Sequence, residues 1–283
     1  MNLNLQHDCI GVFDSGIGGL SVANAVSALL PNENLLYIAD NANAPYGSKP
    51  PAEVQKFAHR ISEALIQAGA KLILVACNTA TAIAIDHLRQ SWPDVPFVGI
   101  EPAVKPASET TKSGVIGVMA TQITLGSERY KDLTGQFAQG LKVIEDPCLG
   151  LVPLIEEGIE DERLLGKLNA ILQPMLTAGA DTLVLGCTHY PFIEKQIQTI
   201  CGPDMQIINP AEPTARQVER LLEETNRKGS SSKATPLQQE KGTSASPPQP
   251  RYDFFATGSA VPIQRALFKV VSLNKGRALV SVV

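Results

Sequence analysis

Two cysteines stand in segments that read as copies of each other. AGAKLILVACNTA carries Cys77, and AGADTLVLGCTHY carries Cys187. Each segment has Ala-Gly-Ala, a short run rich in Val, Ile and Leu, a small residue, and then the cysteine. A run of this kind reads as a buried parallel strand. Open α/β sheets take their ligands at the carboxyl ends of such strands. Two like groups facing each other across one site suit a reaction that looks the same in both directions. Inversion of a carbon centre is such a reaction: one thiolate takes a proton from one face, and the opposite thiol returns one to the other face.

Polar residues follow each thiol, Asn78 and Thr79 in one copy and Thr188 and His189 in the other. Helices starting after these strands are expected to lower the thiol pKa through unpaired N–H groups and the dipole. Cys9, Cys148 and Cys201 lack this setting and read as structural. Cys187 and His189 are also metal-ligand types, but no other Cys/His spacing completes a zinc site, so no metal is expected. DSGIGG, residues 14–19, is a glycine-rich turn that is neither G-x-G-x-x-G nor a P-loop, which leaves nucleotide binding little support. Its backbone N–H groups can still hold a carboxylate. Asp14 is placed at the strand end, on the same rim as Cys77; helix capping by Asp14 or Ser15 is the other reading. NAPYGSK, residues 43–49, follows another strand, where Tyr46 and Gly47 either close over a ligand or form a plain turn. Of the four histidines, only His189 falls at a strand end. His59 and His87 fall in predicted helices and His7 in the N-terminal tail, and these three read as solvated or structural.

The elements that position these residues alternate. CIGVFD, LLYIAD, LILVA and PFVGI read as strands, with LSVANAVSALL, PAEVQKFAHRISEALIQAGA and ATAIAIDHLRQSW as the helices between them. That alternation predicts a doubly wound parallel sheet. A second cycle opens near Glu101-Pro102, where SGVIGVMAT echoes CIGVFDS. QITLGSERYKDLTGQF is expected as a helix, LKVIED as a strand, LVPLIEEG and DERLLGKLNAILQPMLTAGA as helices, and TLVLG as the strand before Cys187. The expected architecture is therefore α/β, with two pseudo-symmetric, flavodoxin-like lobes and the active site between them. Residues 1–101 with 212–283 are assigned to the first lobe and 102–211 to the second. NRKGSSSKATPLQQEKGTSASPPQP, about 226–250, is too poor in large apolar residues to fold and reads as a disordered surface loop. RYDFFATG and VPIQRALFKVV, a strand and a helix, are expected to pack back onto the first lobe.

The 283 residues include 44% hydrophobic residues, ample for a buried core. The net charge of −4 and the lack of a basic stripe argue against nucleic-acid binding. No run of 18 apolar residues predicts a membrane span, and the first residues do not read as a signal peptide. Five scattered cysteines without a C-x-x-C pair fit a reduced, cytoplasmic protein better than a disulfide framework.

FDSGIGG, APYGSK, ACNTAT, LVPLIEEG and GCTHYP occur in this order from about residue 10 to 210. With these motifs the chain closely resembles the glutamate racemase branch of the aspartate/glutamate racemase superfamily. The resemblance implies a cofactor-independent enzyme that uses Cys77 and Cys187 as acid and base on opposite faces of the α-carbon. It implies that Asp14 assists the first thiol, and that His189 and Glu156 assist the second, with Glu157 one residue away as the alternative acid. It implies that Asp14, Ser15, Tyr46, Gly47, Asn78, Thr79, Thr121, Thr188 and His189 hold the substrate, L- or D-glutamate. By the same analogy Cys77 acts on D-glutamate and Cys187 on L-glutamate, in a homodimer that supplies D-glutamate for peptidoglycan. The 226–250 stretch is longer than the family needs. The leader is short, so activation by a cell-wall precursor is not carried over. An aspartate racemase or decarboxylase on the same fold is the nearest rival, but a decarboxylase needs only one proton donor. A non-catalytic binding protein on duplicated lobes is the rival from another class, and it gives no reason for matched cysteines.

Overall fold

The computed structural model describes residues 8–227, 250–267 and 277–282. The first strand, Cys9–Asp14 (β1), leads into helix Leu20–Leu29 (α1) and strand Leu35–Ala39 (β2). Two short 3₁₀ turns follow, then helix Pro51–Gln67 (α2), strand Ala70–Val75 (β3), helix Asn78–Ser91 (α3) and strand Phe97–Gly99 (β4). Prolines at the start of α2 suit a first helical turn, where the missing N–H has no partner to lose. Helix Val104–Thr110 (α4) leads to strand Val115–Ala120 (β5), helices Gln122–Gly126 (α5) and Glu128–Phe137 (α6), and strand Lys142–Asp146 (β6). Helices Leu151–Glu157 (α7) and Glu162–Thr177 (α8), strand Thr182–Gly186 (β7), helix Glu194–Cys201 (α9) and strand Gln206–Ile208 (β8) complete this stretch. The chain then runs through helix Ala211–Glu224 (α10), strand Arg251–Ala256 (β9), helix Val261–Leu267 (α11) and strand Arg277–Val282 (β10).

All the strand pairings are parallel and fall into two sheets. One has the order β10-β9-β2-β1-β3-β4, the other β6-β5-β7-β8. The order second-first-third-fourth thus occurs in both, which is the geometric form of the repeat seen in the residues. Each sheet is covered on both faces, so its strands read as apolar runs rather than alternations. Along β1 and β3, Ile10, Val12, Leu72 and Leu74 join α1 and α10 in one core. Phe13, Ile73 and Val75 join α2 and α3 in the other. Helices α7, α8 and α9 cover one face of the second sheet, and α4 and α6 the other.

The stretch 122–137, expected as one helix, is two. Ser127 turns extended (φ −74°, ψ 147°), and its hydroxyl accepts the Tyr130 N–H at 3.2 Å, capping α6. Helices α4, α9 and α10 and strands β8 and β10 were not foreseen as elements. The stretch expected to be disordered falls, from residue 228 to 249, outside the described residues. No helix among the described residues is long and apolar enough to cross a membrane.

Candidate active site

The carboxyl ends of the two sheets face one cavity of about 250 Å³. From the first sheet come Ser15 after β1, Tyr46 and Gly47 after β2, and Cys77, Asn78 and Thr79 after β3. From the second come Thr121 after β5, Cys148 after β6, and Cys187, Thr188, His189 and Tyr190 after β7. Parallel sheets place ligands here because their strand ends leave the following loops free to vary. Asp14 and Glu156 do not line the cavity; they stand one layer behind it.

Cys77 is the N-cap of α3, where its Sγ accepts the Ala80 N–H at 3.5 Å and lies 3.9 Å from Ser15 Oγ. The helix start acts on this thiol in the expected direction, through the Ala80 N–H, but does not set the net shift. Burial, and then the Asp14 carboxylate, push its pKa well above the ordinary thiol value, and the Ala80 N–H offsets only part of that. The setting after Cys187 also differs from the expected one. A turn and a 3₁₀ segment, Tyr190–Ile193, come before α9, so no α-helix starts at this thiol.

Cys187 is instead supported by side chains. Its Sγ lies 3.7 Å from His189 Nδ1, and His189 Nε2 lies 2.6 Å from Glu156 Oε1. Burial opposes a charged His189, but the bonds to Cys187 and Glu156 outweigh it and hold the imidazolium well above the histidine range. Burial likewise opposes a charged Glu156. The His189 hydrogen bond and charge, with the Ile17 N–H at 3.0 Å, nonetheless hold its carboxyl below the usual range. The neighbouring Glu157 makes no such bond with its side chain; its backbone carbonyl accepts Arg265 Nη1 at 2.7 Å. Both nitrogens of His189 are therefore committed. Among the described residues no group of three or more His, Cys, Asp or Glu side chains gathers as a metal site.

Asp14 is fully buried. Its carboxylate accepts the Gly16 N–H at 2.9 Å and the Thr188 hydroxyl at 3.1 Å, the latter across the two sheets. Burial raises its pKa, and the His189 charge and the Gly16 N–H counter part of the rise. Other bonds join the halves at the same level: Thr79 Oγ1 to Thr121 Oγ1 at 2.9 Å, and Ser21 Oγ to the Thr188 carbonyl at 3.3 Å. The glycines of DSGIGG permit this approach. A Cβ on Gly16 would collide with Glu156, and one on Gly18 would sit 2.5 Å from both His189 Nδ1 and Thr188 Oγ1.

Several residues of the site escaped the sequence reading. Asp40 follows β2; its carboxylate accepts the Tyr46 hydroxyl at 2.7 Å and the Thr257 hydroxyl at 2.6 Å. The signal available was its place after LLYIA, equivalent to Asp14 after CIGVF. Cys148, read as structural, lines the cavity, because the 147–150 turn after β6 folds over the site. Tyr190 lines it as well. Asn78 is buried on the wall, and neither of its amide atoms has a partner among the described residues. His59 and His87 lie away from the cavity and face each other, Nδ1 to Nε2, at 3.3 Å.

A family model described as Asp/Glu/Hydantoin racemase matches residues 20–218. A glutamate racemase of Roseiflexus sp. is 48% identical over 216 residues, covering 76% of this chain and 79% of that one. A crystal structure of a glutamate racemase isoform from Bacillus anthracis matches 98% of both chains, at a TM-score of 0.81 and 34% identity. That of the Francisella tularensis glutamate racemase in complex with D-glutamate matches 98% of this chain and 97% of its own, at a TM-score of 0.78 and 28% identity.

Proposed function

The chain belongs to the Asp/Glu/hydantoin racemase family, and on that premise we propose that it interconverts L- and D-glutamate by two-thiol proton transfer, without a cofactor. The carrying observation is that Cys77 and Cys187 follow equivalent strands of two like-ordered sheets and line one cavity, one from each sheet. The substrate is read from the names of the relatives and from the D-glutamate held by a similar structure.

In the direction L to D, the Cys187 thiolate takes the α-proton and becomes a thiol. The electron pair is left on the α-carbon and spreads into the α-carboxylate. The Cys77 thiol then gives its proton to the opposite face and becomes a thiolate. The reverse direction exchanges the roles, so each turnover ends with the other thiol protonated. Free thiols are only a few per cent ionised at neutral pH, so each side needs support. Asp14 behind Cys77 and the His189–Glu156 pair behind Cys187 are read as that support. Asp14 is joined to the cavity wall through the Thr188 hydroxyl. Developing charge at the carboxylate is met by preorganised donors. Asn78, whose amide has no partner among the described residues, is read as one of them, with the hydroxyls of Ser15, Thr79 and Thr121; Thr188, whose hydroxyl is given to Asp14, lines the same wall. Tyr46 and Gly47 are read as closing the cavity from the β2 side.

The reading extends to supply of D-glutamate for peptidoglycan in the cytoplasm, and to a homodimer; both rest on the motif resemblance, and light scattering at twice the chain mass is the check for the dimer. The test of the activity is incubation with L-glutamate in D₂O, following optical rotation and α-deuterium together. Loss of rotation with deuterium entering the α-position is the expected result. Exchange with aspartate alone would replace the substrate. No exchange with either would overturn the reaction.

A further inference from the structure

We propose that Tyr190 is the positioning residue of Cys187: its hydroxyl donates to the Cys187 sulfur when that sulfur is a thiolate, and turns to the Cys148 sulfur when Cys187 is protonated. The proposal rests on the reading of Cys187 as an acid/base.

The sulfurs of the two halves are unequally served. Cys77 has a backbone N–H and a serine hydroxyl at its Sγ. Cys187 has the His189 imidazole at its Sγ. Tyr190 is the nearest candidate for a second donor, because the turn ties the two residues together: the Tyr190 N–H donates to the Cys187 carbonyl at 3.2 Å. The Tyr190 side chain is fully enclosed. Its hydroxyl finds no oxygen or nitrogen partner among the described residues, and the groups it meets are the sulfurs of Cys148 and Cys187. A buried hydroxyl is costly unless bonded, which leaves the two sulfurs as its partners. It lines the cavity beside Cys148 and Cys187, and these two thiols are the groups that act on it electrically.

Cys148 is itself held in an uncommon way. It is not glycine, yet its φ is +48°, in the left-handed region. Its N–H donates to Asp146 Oδ1 at 2.7 Å, and its S–H donates to the Asp146 carbonyl at 3.4 Å. With its own proton committed to that carbonyl, the sulfur is left as an acceptor. Burial first, then the charges of the two thiols, push the Tyr190 phenol well above its ordinary value. It therefore keeps its proton and acts by hydrogen bonding, not by proton transfer. The titratable groups facing Cys187 are then His189 with Glu156 behind it, Tyr190, Cys148 with Asp146 behind it, and Cys77 with Asp14 across the cavity.

The variant is Tyr190→Phe, which keeps the ring and its packing. The readout is alkylation by iodoacetamide between about pH 6 and 9, resolved by peptide mass at Cys187 and Cys77, together with kcat and KM in both directions. Loss of a hydrogen bond to a charged group predicts a fall of roughly 10-fold or more in Cys187 alkylation at neutral pH. The Cys187 profile moves to higher pH, and Cys77 is unchanged. The equilibrium between enantiomers is fixed, so kcat/KM falls by the same factor in both directions; kcat falls more from the enantiomer that Cys187 deprotonates, with KM shifting to match. Cys148→Ala leaves the hydroxyl with Cys187 alone and is expected to keep or raise Cys187 alkylation. An unchanged Cys187 profile in Tyr190→Phe, or an equal loss at Cys77 and Cys187, overturns the proposal. Should that variant fail to fold, 3-fluorotyrosine incorporated in the full chain replaces it. The fluorinated phenol is a stronger donor and should raise Cys187 alkylation, and no change would be fatal. Alkylation does not depend on turnover. Wild-type protein that fails to exchange the α-proton therefore defeats the racemase reading separately.

Discussion

Cys77 and Cys187 present the same atom in unlike surroundings, and the difference sets what each substitution should do. Cys77→Ala and Cys187→Ala should each lower racemisation by at least about 10²–10⁴-fold, with the fold intact by circular dichroism; unimpaired turnover in either would refute the two-thiol assignment. The His189–Glu156 pair makes a stability prediction with a sign. His189 is raised above 6.5, so its contribution is full below that value and is lost as pH rises through the raised value. Glu156 is lowered below 4.5, so its contribution is present above 4.5 and is lost as pH falls through the lowered value. Removing one partner of a buried pair costs about 3 kcal/mol. The deficit of Glu156→Gln in urea unfolding should therefore be greatest between pH 4.5 and 6.5 and shrink at high pH; a deficit that grows with pH would contradict the pairing. Asp14 has the opposite effect at neutral pH. Burial raises it, so its contribution is full below 3.8 and is lost as pH rises through the raised value. Asp14→Asn should thus be at least as stable as the wild type at neutral pH while losing roughly 10²-fold or more in rate. Unfolding curves and initial rates on one preparation test this.

At the scale of elements, the turn between β1 and α1 does the joining. It begins right after Asp14, the last residue of β1, and its Ile17 N–H holds Glu156 from the other half. Its glycines stand where the second sheet's loop comes closest. Gly18→Ala would drive a methyl group against His189 and Thr188. Overpacking of this kind costs about 1–3 kcal/mol, and displacement of His189 should lower kcat from the enantiomer that Cys187 deprotonates more than kcat from the other, with KM shifting so that kcat/KM stays equal in the two directions. Melting temperature and the two directional rates separate this outcome from a uniform loss. The broken helix at Ser127 belongs to the same scale. A serine hydroxyl capping Tyr130 outcompetes a continuous helix, and propensity alone does not weigh that local choice.

The whole molecule is two like-ordered sheets with one cavity between their strand ends, so a ligand there touches both halves. Ligand that binds only the folded state stabilises it by about 2.7 kcal/mol at 100 times its Kd. Both enantiomers of glutamate should therefore raise the melting temperature of the Cys77→Ser, Cys187→Ser double variant, which cannot turn over. A shift with neither enantiomer would count against a glutamate site. Arg129 adds a surface tie, with bonds of 2.8 Å to Glu101 and to Asp86. Asp86 is 70% exposed, so this pair contributes at most about 1 kcal/mol.

The residues alone determined the alternation of strands and helices, the internal repeat and the strand ends at which the thiols sit. Those features are local: apolar runs, turn glycines and helical spacing are read without knowing the neighbours. Only the tertiary structure decided what surrounds each thiol. Helix-start reasoning predicted a depressed Cys77, but its burial and the Asp14 carboxylate are contributed by segments some sixty residues away in the chain. Which of Glu156 and Glu157 meets His189 depended on the phase of α7, and the entry of Cys148 and Tyr190 into the cavity wall depended on how the second half folds over the first. Electrostatics and cavity walls are set by distances through space, and spacing along a chain does not encode them.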